Sequence, residues 1–459
     1  MRILIFIEHD IIFRHFYLSN AFKDIEDNND VKYIFPNEKS KSPRFNVNPK
    51  TYGLDKNSFV YLDENQYRVH YWKKIYRIEI IKKGLFNKLH RNQRKLYLKT
   101  FDWRSKILFS LLSLPLVSTF YKKLALNKLL KNPYKKLINL LEIEKPDIII
   151  HPTVLEGLFI NDLVFYSKTL KTPLIAIMNS WDNPSTKKSI LYNPDWLLVW
   201  GKQTQKHAIK YMKMSKENAK IFGSAQFDLY NKKININRRK FCKDLMLENE
   251  KYILLYAGSS KMTNEFKHLT YLENLIENNI LLNCQIIYRP HPWGRGGYKG
   301  ERILKTKWKN IVIDPTMIEY LENINNHNYS INMSDYKNTR YILSNVDFVI
   351  SPLSTIIIES AILGKPSLCF VPKDESKALH LDVTKDANHF EDMYNNDYFL
   401  FTKNLKEMKK MINKLINRSQ DEKFIADLKK EAEYFVASFN KSFSERLLDF
   451  CNKIYDHKK

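Results

Sequence analysis

Residues 284–294 read CQIIYRPHPWG and residues 347–371 read DFVISPLSTIIIESAILGKPSLCFV. Each opens as a short run rich in β-branched and aromatic residues and ends abruptly in polar ones. The first stops at Arg289-Pro290-His291-Pro292. The second stops at Ser351, passes through a Ser/Thr-containing turn into a helix carrying Glu359, and continues through Gly364-Lys365-Pro366 into another strand. Strand, helix and strand in that order make a βαβ unit, and parallel strands buried on both faces read as continuous apolar runs. In open α/β sheets the groups that follow the strand carboxyl ends line one crevice. The stretch therefore predicts a doubly wound α/β domain with Arg289, His291, Ser354, Thr355 and Glu359 at one edge.

The same rhythm extends outward. Tyr252–Ala257 reads as a strand opening on Gly258-Ser259-Ser260, a small-residue turn that lets backbone approach a ligand closely. It is neither GxGxxG nor a P-loop, which disfavours ordinary dinucleotide binding and Walker-type ATP hydrolysis. Ile311–Asp314 and Tyr398–Thr402 add strands, and residues 405–459 form a charged tail, helical by period. Toward the N-terminus, Met1–Glu8, Val31–Phe35, Phe59–Leu62, 146–152, Pro173–Met178, Pro194–Gly201 and Ala219–Gly223 make a second α/β set. A chain of 459 residues exceeds what one core supports. Two doubly wound domains are expected, 1–230 and 231–459, with a polar, basic boundary near 229–240. Residues 68–136 interrupt the first as a helical insertion centred on Ile107–Val117, flanked by Arg104, Lys106, Lys122 and Lys123. Two readings stay open for it: helices packed on the sheet, or a segment lying in a membrane interface.

Lysine and arginine number 75 against 50 acidic residues, a formal charge of +25. Such a balance suits a polyanion or an anionic membrane surface. Nucleic acid is disfavoured because none of its recognition modules is present. Cys242, Cys284, Cys369 and Cys451 form no CxxC pair, so reduced thiols are expected rather than a zinc site or disulfides. The opening MRILIFIEHD turns acidic at once and reads as a strand, not a signal peptide. No run reaches the roughly 18–20 apolar residues of a membrane span. The expected location is the cytoplasm, with the inner face of the plasma membrane as a peripheral site.

The residue types at the strand ends suggest chemistry. Two prolines fix the backbone around His291, and an imidazole held there can neutralise a phosphate as it departs, with Arg289 beside it in sequence. Ser354 and Thr355 open a helix, where hydroxyls and free N–H groups cradle anions, although an ordinary N-cap selects the same residues. Glu359 lies one turn on, placed to accept from a ribose diol. A solvent-facing role for it is opposed by its apolar neighbours Ile356–Ile358 and Ala361–Leu363. In the first half, Glu8, His9, Asp10, Arg14 and His15 follow the first strand, His151 ends another, and a loop with Trp181, Asp182 and Lys187 follows a third. Surface or capping roles for His9 and His15, and plain turn chemistry for the loop, are the alternatives.

The pattern RPHP…SPLST(x)3E…GKP is similar to the donor-binding half of GT-B glycosyltransferases. It most resembles the bacterial surface-polysaccharide branch with polysialyltransferase-like, Kdo-transferase-like and CDP-glycerol glycerophosphotransferase-like enzymes. SWDNPSTK, PDWLLVWG, GSAQFD, YILLYAGSS, YRPHP and SPLSTIIIES, in that order, extend the resemblance over roughly 146–371. It implies two facing Rossmann-like domains, the donor in the C-terminal one, the acceptor toward the N-terminal one, and no essential metal. A nucleotide-sugar enters as substrate, not cofactor. By the resemblance, His291, Ser354 and Thr355 contact the donor phosphate, Glu359 holds the ribose, and Ser259 and Ser260 line the phosphate turn. Arg14, His151, Trp181 and Lys187 fall on the acceptor side, and Asp182, Glu8, His9 and Asp10 all qualify as the general base. The glycerophosphotransferase-like enzymes pair the histidine with another in a Gly-His turn. Neither His9 nor His151 follows a glycine here, which ranks polyol-phosphate transfer second. The expectation is a metal-independent glycosyltransferase acting on a surface-glycan or lipid-linked acceptor. A sugar-nucleotide epimerase and a non-catalytic nucleotide- or RNA-binding protein remain as alternatives.

Overall fold

The apolar runs become strands because their β-branched side chains pack on both faces of a pleated surface. Ile3, Leu4, Ile5 and Phe6 of the first strand are all fully buried. The computed structural model describes residues 1–37, 47–153, 155–186, 190–232, 234–258, 263–291, 300–322, 335–372 and 387–458. Seven strands form one sheet: β1 (Arg2–Phe6), β2 (Asp30–Pro36), β3 (Phe59–Leu62), β4 (Ile148–Thr153), β5 (Leu174–Met178), β6 (Trp196–Val199) and β7 (Ala219–Ile221). Their order is β3-β2-β1-β4-β5-β6-β7 and every pairing is parallel. A second parallel sheet holds β8 (Tyr252–Ala257), β9 (Cys284–Arg289), β10 (Ile311–Ile313), β11 (Phe348–Ser351), β12 (Ser367–Phe370) and β13 (Leu400–Thr402), in the order β10-β9-β8-β11-β12-β13. The winding direction reverses between β1 and β4 in the first sheet and between β8 and β11 in the second. A crevice opens beyond the strand ends at each reversal. The doubly wound α/β class read from the sequence is the observed one.

The chain divides into two compact units, Met1–Gln226 with Ala387–His389 and Phe439–Lys459, and Phe227–Asp386 with Phe390–Ser438. The end of the tail thus packs with the first unit, whereas a single boundary near 230 places all of it with the second. The helix Phe443–Lys458 turns Phe443, Leu447 and Cys451 inward. The rings of Phe16 and Phe222 meet Phe443 at 6.2 and 5.2 Å, and Ser444 Oγ accepts from Asp24 N at 2.7 Å. Helical period announces an apolar face but not which sheet will cover it.

Residues 68–136 are helical, as expected. The helix Gln66–Phe86 is the spine, with Arg91–Thr100, Trp103–Leu112 and Pro115–Lys131 packed along it. Arg68 ties this insertion to the helix Ile160–Leu170. Its guanidinium donates to Asp162 Oδ1 at 2.7 and 2.9 Å and to the carbonyls of Leu129 and Asn132 at 2.5 and 2.6 Å. Trp72 Nε1 donates to the same Asp162 oxygen at 2.8 Å, and Arg68 and Asp162 are each 1% exposed. Among the described residues no single helix is long and apolar enough to cross a membrane. Trp103–Leu112 and Pro115–Lys131 together have the length and composition but are bent by 92°. All four cysteines are free and buried.

Candidate functional site

In the second unit, β9 and β11 flank β8, so the turns after all three strands lie at one edge of the sheet. Gly258 ends β8, and a Cβ there would stand 2.6 Å from Glu265 Oε2 and 3.0 Å from the His291 backbone nitrogen. Only glycine allows that approach. Glu265 is fully buried in the first turn of the helix Glu265–Glu277, where it accepts from the Tyr288 hydroxyl and, at 3.1 Å, from Thr263 Oγ1. Gly258 therefore lies against both the His291 backbone and a buried carboxylate that local sequence pattern does not reveal.

Ser354 and Thr355 are partly exposed. Thr355 occupies the N-cap of the helix Ile356–Ile362, yet its side chain makes no capping hydrogen bond. The ordinary capping role is thus not the one this hydroxyl performs. Glu359 is buried, not solvent-facing, and its Oε2 accepts from the Tyr230 hydroxyl at 2.6 Å. Burial and the Glu359 charge push the Tyr230 phenol well above its ordinary range, so it remains a donor. Tyr230 lies two residues past the GSAQFD motif and was not singled out in the sequence. Arg289 is placed differently from its expected role: its guanidinium pairs with buried Asp314 and donates to Thr339 Oγ1 at 3.0 Å. Those bonds brace the ends of β9 and β10 against the helix Tyr336–Asn345.

In the first unit the residues after β1, β4 and β5 come together. His151 Nε2 lies 2.5 Å from Glu8 Oε1, and Glu8 also accepts from the backbone of Leu158 and, at 2.8 Å, of Phe159. Burial works to raise the Glu8 carboxyl, but His151 and those N–H groups outweigh it and hold the group below its ordinary value. A Cβ at Gly157 would overlap Glu8 Oε2, so the segment between β4 and the helix Ile160–Leu170 needs glycine at that position. The chain holds only 11 glycines, so a lone glycine just after a strand was a readable signal. Glu8 is thus an organising anchor with both oxygens engaged. His151 Nδ1 is buried without a hydrogen-bond partner among the described residues.

His9 stands at the N-cap position of the first helical turn and its side chain is 29% exposed. Its Nδ1 lies 2.6 Å from Asp10 Oδ1. Ile11 N is 2.7 Å from that oxygen and 3.1 Å from Nδ1, so the carboxylate is the better acceptor and Nδ1–H is left to donate to Asp10. That tautomer leaves Nε2 as the ring's acceptor nitrogen. Arg14 and His15 lie in a π-helical turn, Phe13–Tyr17, and both are buried rather than on the surface. His15 Nδ1 donates to Asn179 Oδ1 at 2.6 Å. Burial, then the charge of Arg14, pulls the His15 imidazole down to about 3 against that hydrogen bond, so the ring is neutral.

The loop after β5 is packed, with Trp181, Asp182, Asn183 and Ser185 all buried. Asp182 Oδ1 accepts from Asn183 Nδ2 at 3.1 Å, and its carbonyl accepts from Thr186 N at 2.9 Å. The Trp181 ring meets His389 edge-on at 4.8 Å, and His389 Nδ1 lies 3.2 Å from Thr186 Oγ1. His389 comes from far along the chain, which no local pattern reveals. Ser259, Ser260 and Lys187 lie outside the described residues. Among the described residues no group of three or more His, Cys, Asp or Glu side chains is arranged to hold a metal ion.

No protein-family model and no curated protein matches the chain. Solved structures match along its whole length. A putative UDP-N-acetylglucosamine 2-epimerase from Listeria monocytogenes superposes with a TM-score of 0.53 at 9% identity, over 99% of this chain and 97% of that one. The UDP-GlcNAc 2-epimerase from Neisseria meningitidis, bound to UDP-GlcNAc, superposes with a TM-score of 0.51 at 9% identity, over 99% and 100%. The wall teichoic acid polymerase TagF gives 0.49 at 11% identity, over 99% and 89%. The first two establish the fold class, GT-B with two Rossmann-like units. Fold alone does not name a reaction.

Proposed function

We propose that the protein is a nucleotide-sugar-dependent glycosyltransferase acting on a surface-glycan or lipid-linked hydroxyl, with no metal required. The observation that carries the reading is the partly exposed hydroxyl pair Ser354 and Thr355 after a strand end, with Thr355 making no capping bond, one turn before a carboxylate oriented by Tyr230. These hydroxyls and His291 would take the charge that develops on the departing phosphate. Glu359 would accept from the ribose. Arg289, engaged by Asp314, would hold the turn in place instead of contacting the donor.

On the acceptor side, His9 fits the general base better than its neighbours. Glu8 has both oxygens engaged, and Asp182 is packed within its loop. His9 is partly exposed and Asp10 orients it. It would remove the acceptor proton as the hydroxyl oxygen bonds to the anomeric carbon and the sugar–phosphate bond breaks. Arg14, His151, Trp181 and Lys187 would shape the acceptor region.

A sugar-nucleotide 2-epimerase is the second reading, favoured by the two fold neighbours with the higher TM-scores. The two part cleanly in a product assay with UDP-, CMP-, CDP- and GDP-sugars. Nucleotide release that depends on added glycan or lipid-linked acceptor supports transfer. Conversion of the donor to an epimer with no acceptor present overturns it, and transfer of a polyol phosphate to the acceptor from a CDP-polyol run in parallel, with release of CMP, would reassign the donor.

A further inference from the structure

Between Glu79 and Glu142 the sequence holds one acidic residue, Asp102, and fifteen lysines and arginines. That local excess of fourteen is more than half of the +25 carried by the whole chain. The one acid is used locally, since Asp102 Oδ1 caps the helix Trp103–Leu112 by accepting from Ser105 N at 2.8 Å.

The most exposed apolar side chains of the insertion stand in the same stretch. Trp103, Ile107 and Leu111 recur at i, i+4 and i+8 on one helix, and Leu116, Phe120 and Leu124 do so on the next, Pro115–Lys131. Trp103, Leu116 and Phe120 are 66%, 87% and 65% exposed. The two helices meet at 92°, so the two rows form one outward elbow. Their inner sides are already covered: Phe109 packs with Ile78 and Ile81, and Ala125 and Leu129 pack with Trp72 and Ile75. A contiguous exposed apolar ridge with its back face occupied marks an interaction surface.

We propose that this elbow is a docking surface for an anionic lipid bilayer, lying in the interface with Trp103, Leu116 and Phe120 at the acyl boundary. Arg104, Lys106, Lys123 and Lys131, all exposed, reach the headgroup phosphates. Charge selects the occupant. A second copy of the chain would bring another excess of fourteen positive charges to the same face, which opposes pairing, whereas an anionic bilayer complements it. The sharp bend and the covered inner faces make the elbow a surface element and not a span. A groove of about 410 Å³ lined by Trp72, Leu126, Leu130, Phe165 and Lys168 adjoins it, with Leu130 exposed at its lip. This inference stands apart from the transferase reading, because docking is read out without any turnover.

Flotation of the purified full chain tests it, using vesicles of neutral phosphatidylcholine and vesicles containing about 30% phosphatidylglycerol, at about 50 and 500 mM salt, where screening of surface charge differs several-fold in range. At least tenfold more protein should float with the anionic vesicles at low salt. Leu116→Asp with Phe120→Asp should abolish flotation, and Lys123→Glu with Lys131→Glu should weaken it at low salt. All four positions are exposed, and circular dichroism with a melting curve checks folding. Should the apolar variant fail to fold, the charge variant decides alone, and flotation unchanged from wild type overturns the proposal. No flotation of the wild type, equal flotation with neutral vesicles, or an apolar variant that floats like wild type also overturns it. A solution dimer that the apolar variant converts to monomer, without vesicle binding, assigns the elbow to a second copy instead.

Discussion

His9 and His15 are six residues apart and do opposite things. His9 is partly open to solvent and oriented by Asp10, while His15 is buried, neutral and bound to Asn179. If His9 is the base, His9→Asn should lower kcat by about 10²–10⁴-fold with little change in donor KM. Asp10→Asn, which removes the partner of Nδ1–H, should give a smaller loss in kcat. Equal kcat in His9→Asn and wild type would remove the assignment. His15 makes a separate prediction about stability. Its folded pKa, about 3, lies below the ordinary 6.5. Between those values the unfolded chain binds more protons, so stability is full above pH 6.5 and is lost progressively as pH falls toward 3. The melting temperature of wild type should therefore drop between about pH 7 and pH 5, and His15→Gln, which can still donate to Asn179, should drop less. Glu8 acts in the same direction but only below its ordinary 4.5, outside that window.

At the scale of elements, the helical insertion is held to the helix Ile160–Leu170 by the buried Arg68–Asp162 pair. Asp162→Asn leaves the guanidinium buried without its counter-charge and should cost about 3–5 kcal/mol in denaturant unfolding. Arg68→Met with Asp162→Leu removes both charges and should recover most of that loss. A double variant as unstable as the single one would show that the bonds from Arg68 to the Leu129 and Asn132 carbonyls, within the insertion, matter more than the ion pair. In the second unit, the helix Ile356–Ile362 is buried along its length, so substitutions at its solvent-side start can be made without disturbing the core. Ser354→Ala with Thr355→Ala should leave the melting temperature of the free protein within about 1 kcal/mol of wild type in stability terms. Donor affinity should fall by about tenfold or more through the loss of two hydrogen bonds to a charged group.

For the whole molecule, a nucleotide that binds only the native state must raise its melting temperature. At a concentration near 100 Kd the gain is about 2.7 kcal/mol. Stabilisation by one nucleotide among CMP, CDP, UDP and GDP, diminished in Ser354→Ala/Thr355→Ala, is the expected result. No shift with any of them would favour a binding protein of another kind. All thirteen strands fall on stretches the sequence marks as apolar and β-rich, with ends displaced by at most two residues. They were legible because strands buried on both faces carry their burial in unbroken local runs such as Ile148-Ile149-Ile150. The strand-end positions of His9, His151, Ser354, Thr355 and Glu359 were legible for the same reason: in a parallel sheet, whatever follows a strand's carboxyl end lies at the crevice edge. What stayed hidden is whatever depends on partners distant in the chain. Asp314 claims Arg289, Tyr230 claims Glu359, His389 covers Trp181, and the last helix packs beside Phe16 and Phe222. Each of these pairings is between residues 11 or more positions apart whose types are ordinary alone, so local period and composition carry no trace of them. The sequence by itself determined the element types, the two parallel sheets and the edge at which polar groups gather. Only tertiary structure decided which of those groups are held by neighbours and which remain open to a ligand, because burial and hydrogen-bond partnership are properties of the packed chain.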